Sequence, residues 1–277
     1  LQKNSSADIS PTAGQMPRLV GLAQASKVYR ENEILNTTEK AKKFTNKGNE
    51  VAFGTIGDAS TSEGPFWESI NAAGVMQIPL VMSVWDDGYG ISVPREFQTT
   101  KGSISEALAG MQRTEDKKGY EIFVTKGWDY AHLCQTYEKA VRLAREEHVP
   151  VLIHVKEVNQ PQGHSTSGSH ERYKSKERLE WEQEFDCIAK FKEWILSFDA
   201  GGNKIADAET LDNLQKDAKT EVRQAKNNSW KRFTSEIQQE LAEITSIIEG
   251  AAENSSQKAF ILKELESLKK TYEPIRK

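Results

Sequence analysis

The sequence has little cysteine, no long apolar run and no excess of positive charge, and each shortage narrows what the chain can do. Its 277 residues include two cysteines, Cys134 and Cys187. Both fall in helix-like segments without metal-ligand spacing, which excludes a zinc cluster and a disulfide framework and leaves them as buried or half-buried thiols. No apolar stretch approaches the length of a membrane span, and no secretory signal pattern opens the chain. A cytoplasmic setting follows as the expectation. The formal net charge of −4 gives no electrostatic case for nucleic acid or an anionic membrane. The remaining composition, 37% hydrophobic and 28% charged, suffices for one large α/β domain with an appendage. Because the first residue is Leu1 rather than methionine, the chain reads as a fragment or a processed product.

Its most informative stretch begins with two short apolar runs that each end in acids. Val51–Ile56 leads into Gly57-Asp58-Ala59-Ser60, and Leu80–Val84 leads into Asp86-Asp87-Gly88-Tyr89-Gly90. Between them, residues 65–76 have the pattern of a helix with Pro65 in its first turn. A strand, helix and strand in this order form a parallel βαβ unit, which puts Asp58 and Asp87 at one carboxyl edge. Open α/β sheets bind ligands at that edge. Hard cations such as Mg2+ take carboxylates together with substrate phosphates, so Asp58, Asp87 and a carbonyl just beyond can converge on one ion. The other reading stays open here: Asp58 caps a helix, and Asp86-Asp87-Gly88 is a simple turn.

The rest of the chain fits around this unit. Met16–Arg30 carries Leu19, Leu22, Ala23 and Ser26 at helical spacing, and 31–49 reads as a solvated connection. A crossover loop follows Gly90, then a short helix over Ile104–Met111 and a strand over Tyr120–Val124. Beyond Gly127-Trp128-Asp129 a helix runs to about Glu147, with Leu133, Tyr137, Val141 and Ala144 on its stripe. Val151–Val155 is apolar enough for a central parallel strand, and His154 within it reads as a packed histidine rather than a ligand. The loop from Gln160 to Tyr173 is dense in Ser, Gly and His and leaves that strand at the edge bearing the two acids. Such a loop can donate hydrogen bonds to a diphosphate and supply an acid–base imidazole; it also fits a plain polar loop. Residues 176–198 form a helical pattern. From Gly201 onward the composition turns alanine-, glutamate- and lysine-rich with balanced charge, predicting helices over about 208–250 and 256–272 with a break near Gly250.

Gly57-Asp58-Ala59 and Asp86-Asp87, with a βα unit between them, resemble the thiamine diphosphate fingerprint of Gly-Asp-Gly followed nearly thirty residues later by Asn-Asn. More narrowly, Glu63-Gly64, Phe66-Trp67-Glu68, Asn71-Ala72-Ala73 and Ile78-Pro79 resemble the alpha part of the E1 component of 2-oxo acid dehydrogenase complexes. Gly163-His164-Ser165-Thr166-Ser167 is similar to that family's phosphorylation loop, in the branched-chain 2-oxo acid form. The resemblance implies a doubly wound, mainly parallel α/β fold over residues 1–198, followed by a helical linker or partner-facing region over 199–277. It implies thiamine diphosphate and Mg2+ as cofactors. Asp58, Asp87 and the Tyr89 carbonyl would hold the metal, with Gly57, Ala59 and Ser60 beside the diphosphate. His164 would contact the diphosphate and assist acyl transfer, and Ser165 inherits the place of a regulatory phosphorylation site. Three positions depart from the pattern: Ala59 for glycine, Asp86-Asp87 for the asparagine pair, and Gln160 for an arginine, with Arg172 as a candidate for the missing charge.

The activity so implied is oxidative decarboxylation of a small 2-oxo acid with acyl transfer to a lipoyl-bearing E2 partner. The family's aminopyrimidine-activating glutamate belongs to an E1 beta part that has no counterpart here, so the chain is expected to be a half-site within a homo- or hetero-oligomer, inactive without that part. Its tail would suit the junction of a fused alpha–beta chain. Two other readings stand beside this one: a transketolase-like thiamine enzyme, against which the His164 loop argues, and a non-catalytic assembly module whose acidic edge has decayed.

Overall fold

The structure is a computed structural model and describes residues 11–164 and 169–271. It divides between Asn203 and Lys204 into two compact units. In the first, helix α1 (Met16–Glu31) and the short α2 (Glu33–Asn36) precede strand β1 (Ala52–Gly57), helix α3 (Gly64–Met76) and strand β2 (Leu80–Trp85). A two-stranded hairpin follows, β3 (Tyr89–Gly90) with β4 (Val93–Pro94), and then the single turn α4 (Ile104–Ala107). Strand β5 (Glu121–Lys126), helix α5 (Tyr130–Glu147) and strand β6 (Val151–Lys156) complete the sheet, and helices α6 (Lys176–Glu184) and α7 (Cys187–Ser197) close the unit.

The main sheet is fully parallel, in the order β1-β2-β6-β5. Strand residues alternate between its two faces. Leu80, Met82, Val84 and Leu152 face a core shared with α1 and α3, whereas Val81, Val151, Ile153 and Val155 face one shared with α5. Helices therefore cover both faces, as the doubly wound expectation requires. Phe66, Ser69, Ile70 and Ala73 of α3 recur at the spacing of one helix face and are buried. Burying the large side chains among them contributes roughly 1.5–3 kcal/mol each. Helix α1 comes so close to β1 that a Cβ at Gly54 would lie 2.5 Å from Leu19 Cδ2, so a larger residue there would make the Leu19 side chain move.

The strands end level with one another. Asp58 N–H donates to Trp85 O (3.0 Å), and Asp86 N–H donates to Val155 O (2.9 Å). This staircase of backbone bonds brings Asp58, Asp86 and the loop after β6 to a common edge.

Several sequence expectations shift in detail. Leu22 is 37% exposed, because the buried stripe of α1 runs through Leu19, Ala23 and Ser26 instead. The 31–49 connection contains α2 and a 3-10 turn at Ala41–Lys43. The helix expected over 176–198 is two helices: the Asp186 carboxylate caps the second by accepting from Ile188 N–H (3.1 Å) and Ala189 N–H (2.9 Å). Cys187 is half-buried as expected, but Cys134 is exposed, on the outer side of α5.

The second unit is helical. Helix α8 (Ala208–Glu253) runs unbroken through Gly250, and the break falls instead before α9 (Lys258–Lys269). Ala252 and Leu265 are its buried residues, and Lys269 pairs with Glu249 at 2.8 Å. A single glycine costs a helix only about 1 kcal/mol relative to alanine, which α8 absorbs within its length. Among the described residues no helix is long and apolar enough to cross a membrane.

Candidate functional site

A pocket of about 570 Å³ opens at the carboxyl edge of β1 and β2. Gly57, Asp58, Ala59, Ser60, Asp87, Tyr89 and His164 all line it, so one cavity unites the described residues singled out in the sequence. Ser165 lies outside the described residues. Thr12, Glu63, Trp85, Ile91, Gln98 and Gln160 also line the pocket, and the sequence pattern points to none of them except Gln160.

Asp58 is the pocket's buried acid, 6% exposed. Its carboxylate caps neither the 3-10 turn Ala59–Ser62 nor α3, whose N-cap is Glu63. Its Oδ2 is buried without a hydrogen-bond partner. Burial, reinforced by the nearby Asp86 and Asp87 carboxylates, pushes the Asp58 pKa up to about 7. The Ala59 N–H partly offsets this, but a charged acid that is buried, with one oxygen unpartnered and like charges beside it, is costly unless a cation joins it.

Asp86 and Asp87 divide the labour of the second turn. Asp86 is 1% exposed, and protein groups occupy both its oxygens. Oδ1 accepts from Gly88 N–H (2.8 Å), while Oδ2 accepts from Arg95 Nη1 (2.8 Å) and meets His154 Nε2 (3.0 Å). Burial raises its pKa, but the His154 hydrogen bond and the Arg95 guanidinium outweigh that and hold it below the usual carboxylate range. His154 is fully buried, as a packed histidine should be, and its Nδ1 pairs with Ser105 Oγ at 2.8 Å. Its strand parity turns it toward α4 rather than into the pocket.

Asp87 lines the pocket, and its Oδ1 accepts from Tyr89 N–H (3.0 Å). Burial raises its pKa, against the lowering effects of the Tyr89 N–H and the Lys174 and Arg178 charges. Tyr89 stands opposite Pro94 in the hairpin. Proline has no N–H, so the Tyr89 carbonyl takes no ladder bond from it. Among the described residues, no group of three His, Cys, Asp or Glu side chains could hold a metal ion. Any cation at this edge therefore needs backbone or ligand oxygens beside the two carboxylates.

His164 is exposed at the rim, and the preceding Gly163 fixes the loop. Gly163 has φ +66°, and a Cβ there would lie 2.3 Å from Tyr173 Oη. Arg172, the cation suggested by the sequence for the charge missing at Gln160, is exposed. Lys174 and Arg178 are the cations that act on Asp87.

Comparison with known proteins gives this site its relatives. The model of the dehydrogenase E1 component family matches residues 3–238. The chain belongs to the dehydrogenase E1 component family. It is 31% identical over 155 residues to the alpha subunit of acetoin:2,6-dichlorophenolindophenol oxidoreductase from Bacillus subtilis, covering 56% of this chain and 44% of that protein. Identity to the pyruvate dehydrogenase E1 alpha subunit of Rickettsia bellii is 26%, covering 65% of this chain and 51% of that protein. For the 2-oxoisovalerate dehydrogenase alpha subunit of Bacillus subtilis it is 25%, with 67% and 49% covered. The chain thus spans about half the length of the curated relatives it matches. Within this E1 family chain, Arg95, His154, Lys174, Arg178 and Glu182 support the pocket without a motif that announces them. Their one advance signal is the acidic pair itself, since two adjacent half-buried or buried carboxylates require neighbouring cations or donors.

Proposed function

We propose that this chain is the alpha part of a thiamine diphosphate-dependent E1 component acting on a 2-oxo acid, with the pocket at Asp58 and Asp87 as its metal–diphosphate half-site. The buried Asp58 Oδ2, without a hydrogen-bond partner and close enough to the Asp86 and Asp87 carboxylates to feel their charge, carries this reading. A divalent cation satisfies both acids, and its charge outweighs their mutual repulsion. The residues present therefore fit Mg2+ and a diphosphate, even with Asp87 in place of a neutral amide.

In this reading Asp58 and Asp87 supply carboxylate oxygens to Mg2+ and Tyr89 supplies its carbonyl. Asp86 is not a ligand: it anchors the turn, because its oxygens are committed to Arg95, His154 and Gly88. Gly57, Ala59 and Ser60 line the diphosphate side, where backbone N–H groups and the Ser60 hydroxyl can donate. When bound, thiamine diphosphate supplies the electron sink for decarboxylation. The chain's own part would be to hold and orient that group, and His164 at the rim would move a proton during acyl transfer.

The partners in this proposal are an E1 beta part, which would complete the site and its acid–base glutamate, and a lipoyl-bearing E2. The His164 loop resemblance favours a branched-chain 2-oxo acid over pyruvate. The free thiols at Cys134 and Cys187 suit a cytoplasmic setting. The test is acyl transfer to a lipoyl domain from a panel of 2-oxo acids, with the beta part supplied. His164→Ala is expected to slow lipoyl acylation on the order of a hundredfold, a typical acid–base contribution, while decarboxylation with an artificial electron acceptor falls less. Equal loss in both assays, or no 2-oxo acid turned over by the wild type, would count against the assignment.

A further inference from the structure

Behind the pocket lies a buried ion cluster. Glu182, on α6, is 1% exposed, and Lys174 is 6% exposed. Lys174 Nζ donates to both Glu182 carboxylate oxygens at 2.8 Å. Arg178 Nε donates to Glu182 Oε1, also at 2.8 Å. One carboxylate thus gathers two cations; each donates onward to a backbone carbonyl on a different wall of the pocket, and Lys174 Nζ also lies 5.5 Å over the Tyr89 ring. Lys174 Nζ donates to the Gln160 carbonyl (2.9 Å), at the root of the loop that carries His164. Arg178 Nη2 donates to the Asp87 carbonyl (2.8 Å) and lies over the Tyr89 ring.

We propose that Glu182 is a positioning residue that latches the Asp87–Tyr89 turn and the His164 loop into one arrangement, acting through Arg178 and Lys174. The physical case is one of satisfaction. A buried carboxylate with a single cation satisfies that cation alone; with two, it fixes the separation between them. Both arms donate to backbone carbonyls and so set where the segments sit, and their charges also act on Asp87. The arrangement also answers the departures at Asp87 and Gln160: positive charge that the loop lacks at Gln160 arrives from α6 and its N-terminal flank. Asn159 Nδ2 donates to the Glu182 carbonyl (3.3 Å) and so ties the same loop root to α6 by an uncharged route.

This inference rests on the metal–diphosphate reading for its consequence but not for its test. Hydrogen exchange of the full chain, resolved to peptides covering 87–90, 159–164 and the strands β2 and β6, reads the latch without any cofactor. Glu182→Gln is expected to speed exchange at least tenfold in both 87–90 and 159–164, with the strands unchanged. Arg178→Met should loosen 87–90 and leave 159–164 unchanged, whereas Lys174→Met should loosen 159–164 more than 87–90, which keeps the test decisive should Glu182→Gln fold poorly. Loosening spread through the strands, or the same pattern for the two single-arm variants, overturns the latch. Calorimetric titration of thiamine diphosphate with Mg2+ is the second arm: affinity should fall about tenfold in Glu182→Gln. Cofactor binding by the wild type that Glu182→Gln leaves unchanged contradicts the positioning role. Absence of cofactor binding in the wild type contradicts the cofactor reading instead, and the exchange pattern then decides the latch alone.

Discussion

Asp58 shows how far single residues carry the account. An ordinary aspartate titrates near pH 4, whereas burial and the two neighbouring acids push this one up to about 7. Folding therefore favours its protonated form. The stability Asp58 contributes is fully present below about pH 4 and is lost as pH rises toward 7, which is the sign expected of an acid whose pKa is raised by folding. Asp86 runs the other way: its lowered pKa gives stability that is lost as pH falls. Asp58→Asn should therefore raise the melting temperature of the metal-free chain at pH 8 and change it little at pH 4. Added Mg2+ should raise the melting temperature of the wild type only. Thermal melts with and without Mg2+ check this, and an Asp58→Asn variant less stable than the wild type at pH 8 would show that the carboxylate is paired. The sequence made Asp58 and Asp87 visible, because a βα unit fixes which strand ends share an edge. The resemblance singled out Asp87 of the acidic pair, but the sequence did not show what Asp86 does. That role depends on His154, 68 residues from Asp86, whose strand parity was readable but whose partner was not.

At the scale of elements, strand and helix cores were the legible part. Apolar runs and 3.6-residue stripes mark β1, α3, β2, α5 and β6 to within a residue or two. The misreadings arose where a local polar group overrode periodicity. The Asp186 carboxylate splits one helical pattern into α6 and α7, and α8 passes through Gly250 because nothing there supplies a competing cap. The loop after β6 depends on a feature no pattern shows, the closeness of Tyr173 to Gly163. Gly163→Ala puts a methyl group where the Tyr173 hydroxyl sits and also strains a backbone at positive φ. It should displace His164 and weaken cofactor affinity several-fold, with the melting temperature of the sheet unit within about two degrees of wild type. Calorimetry beside a thermal melt checks the pair, and unchanged affinity would mean that the loop tolerates the displacement.

At the scale of the whole molecule, the chain joins an α/β unit that holds the pocket to a helical unit whose described residues carry no candidate site. The family match runs from residue 3 to residue 238 and so extends into α8. Asp58, Asp87, Ser60, Glu63 and the His164 imidazole line the pocket of the first unit. The resemblance pointed to an acidic edge on two strands; the structure adds which groups stand beside its two adjacent aspartates. Arg95 pairs with Asp86 and His154 hydrogen-bonds it, while the charges of Lys174 and Arg178 act on Asp87, so the double acid is a supported feature of the fold.

The most direct measurement is calorimetric titration of thiamine diphosphate, with and without Mg2+, into the chain alone and into the chain assembled with an E1 beta part, each beside Asp58→Ala. The account predicts binding that requires Mg2+ and disappears in Asp58→Ala, in the assembled protein at least. Binding that survives Asp58→Ala, or no Mg2+-dependent binding in either preparation, would contradict it.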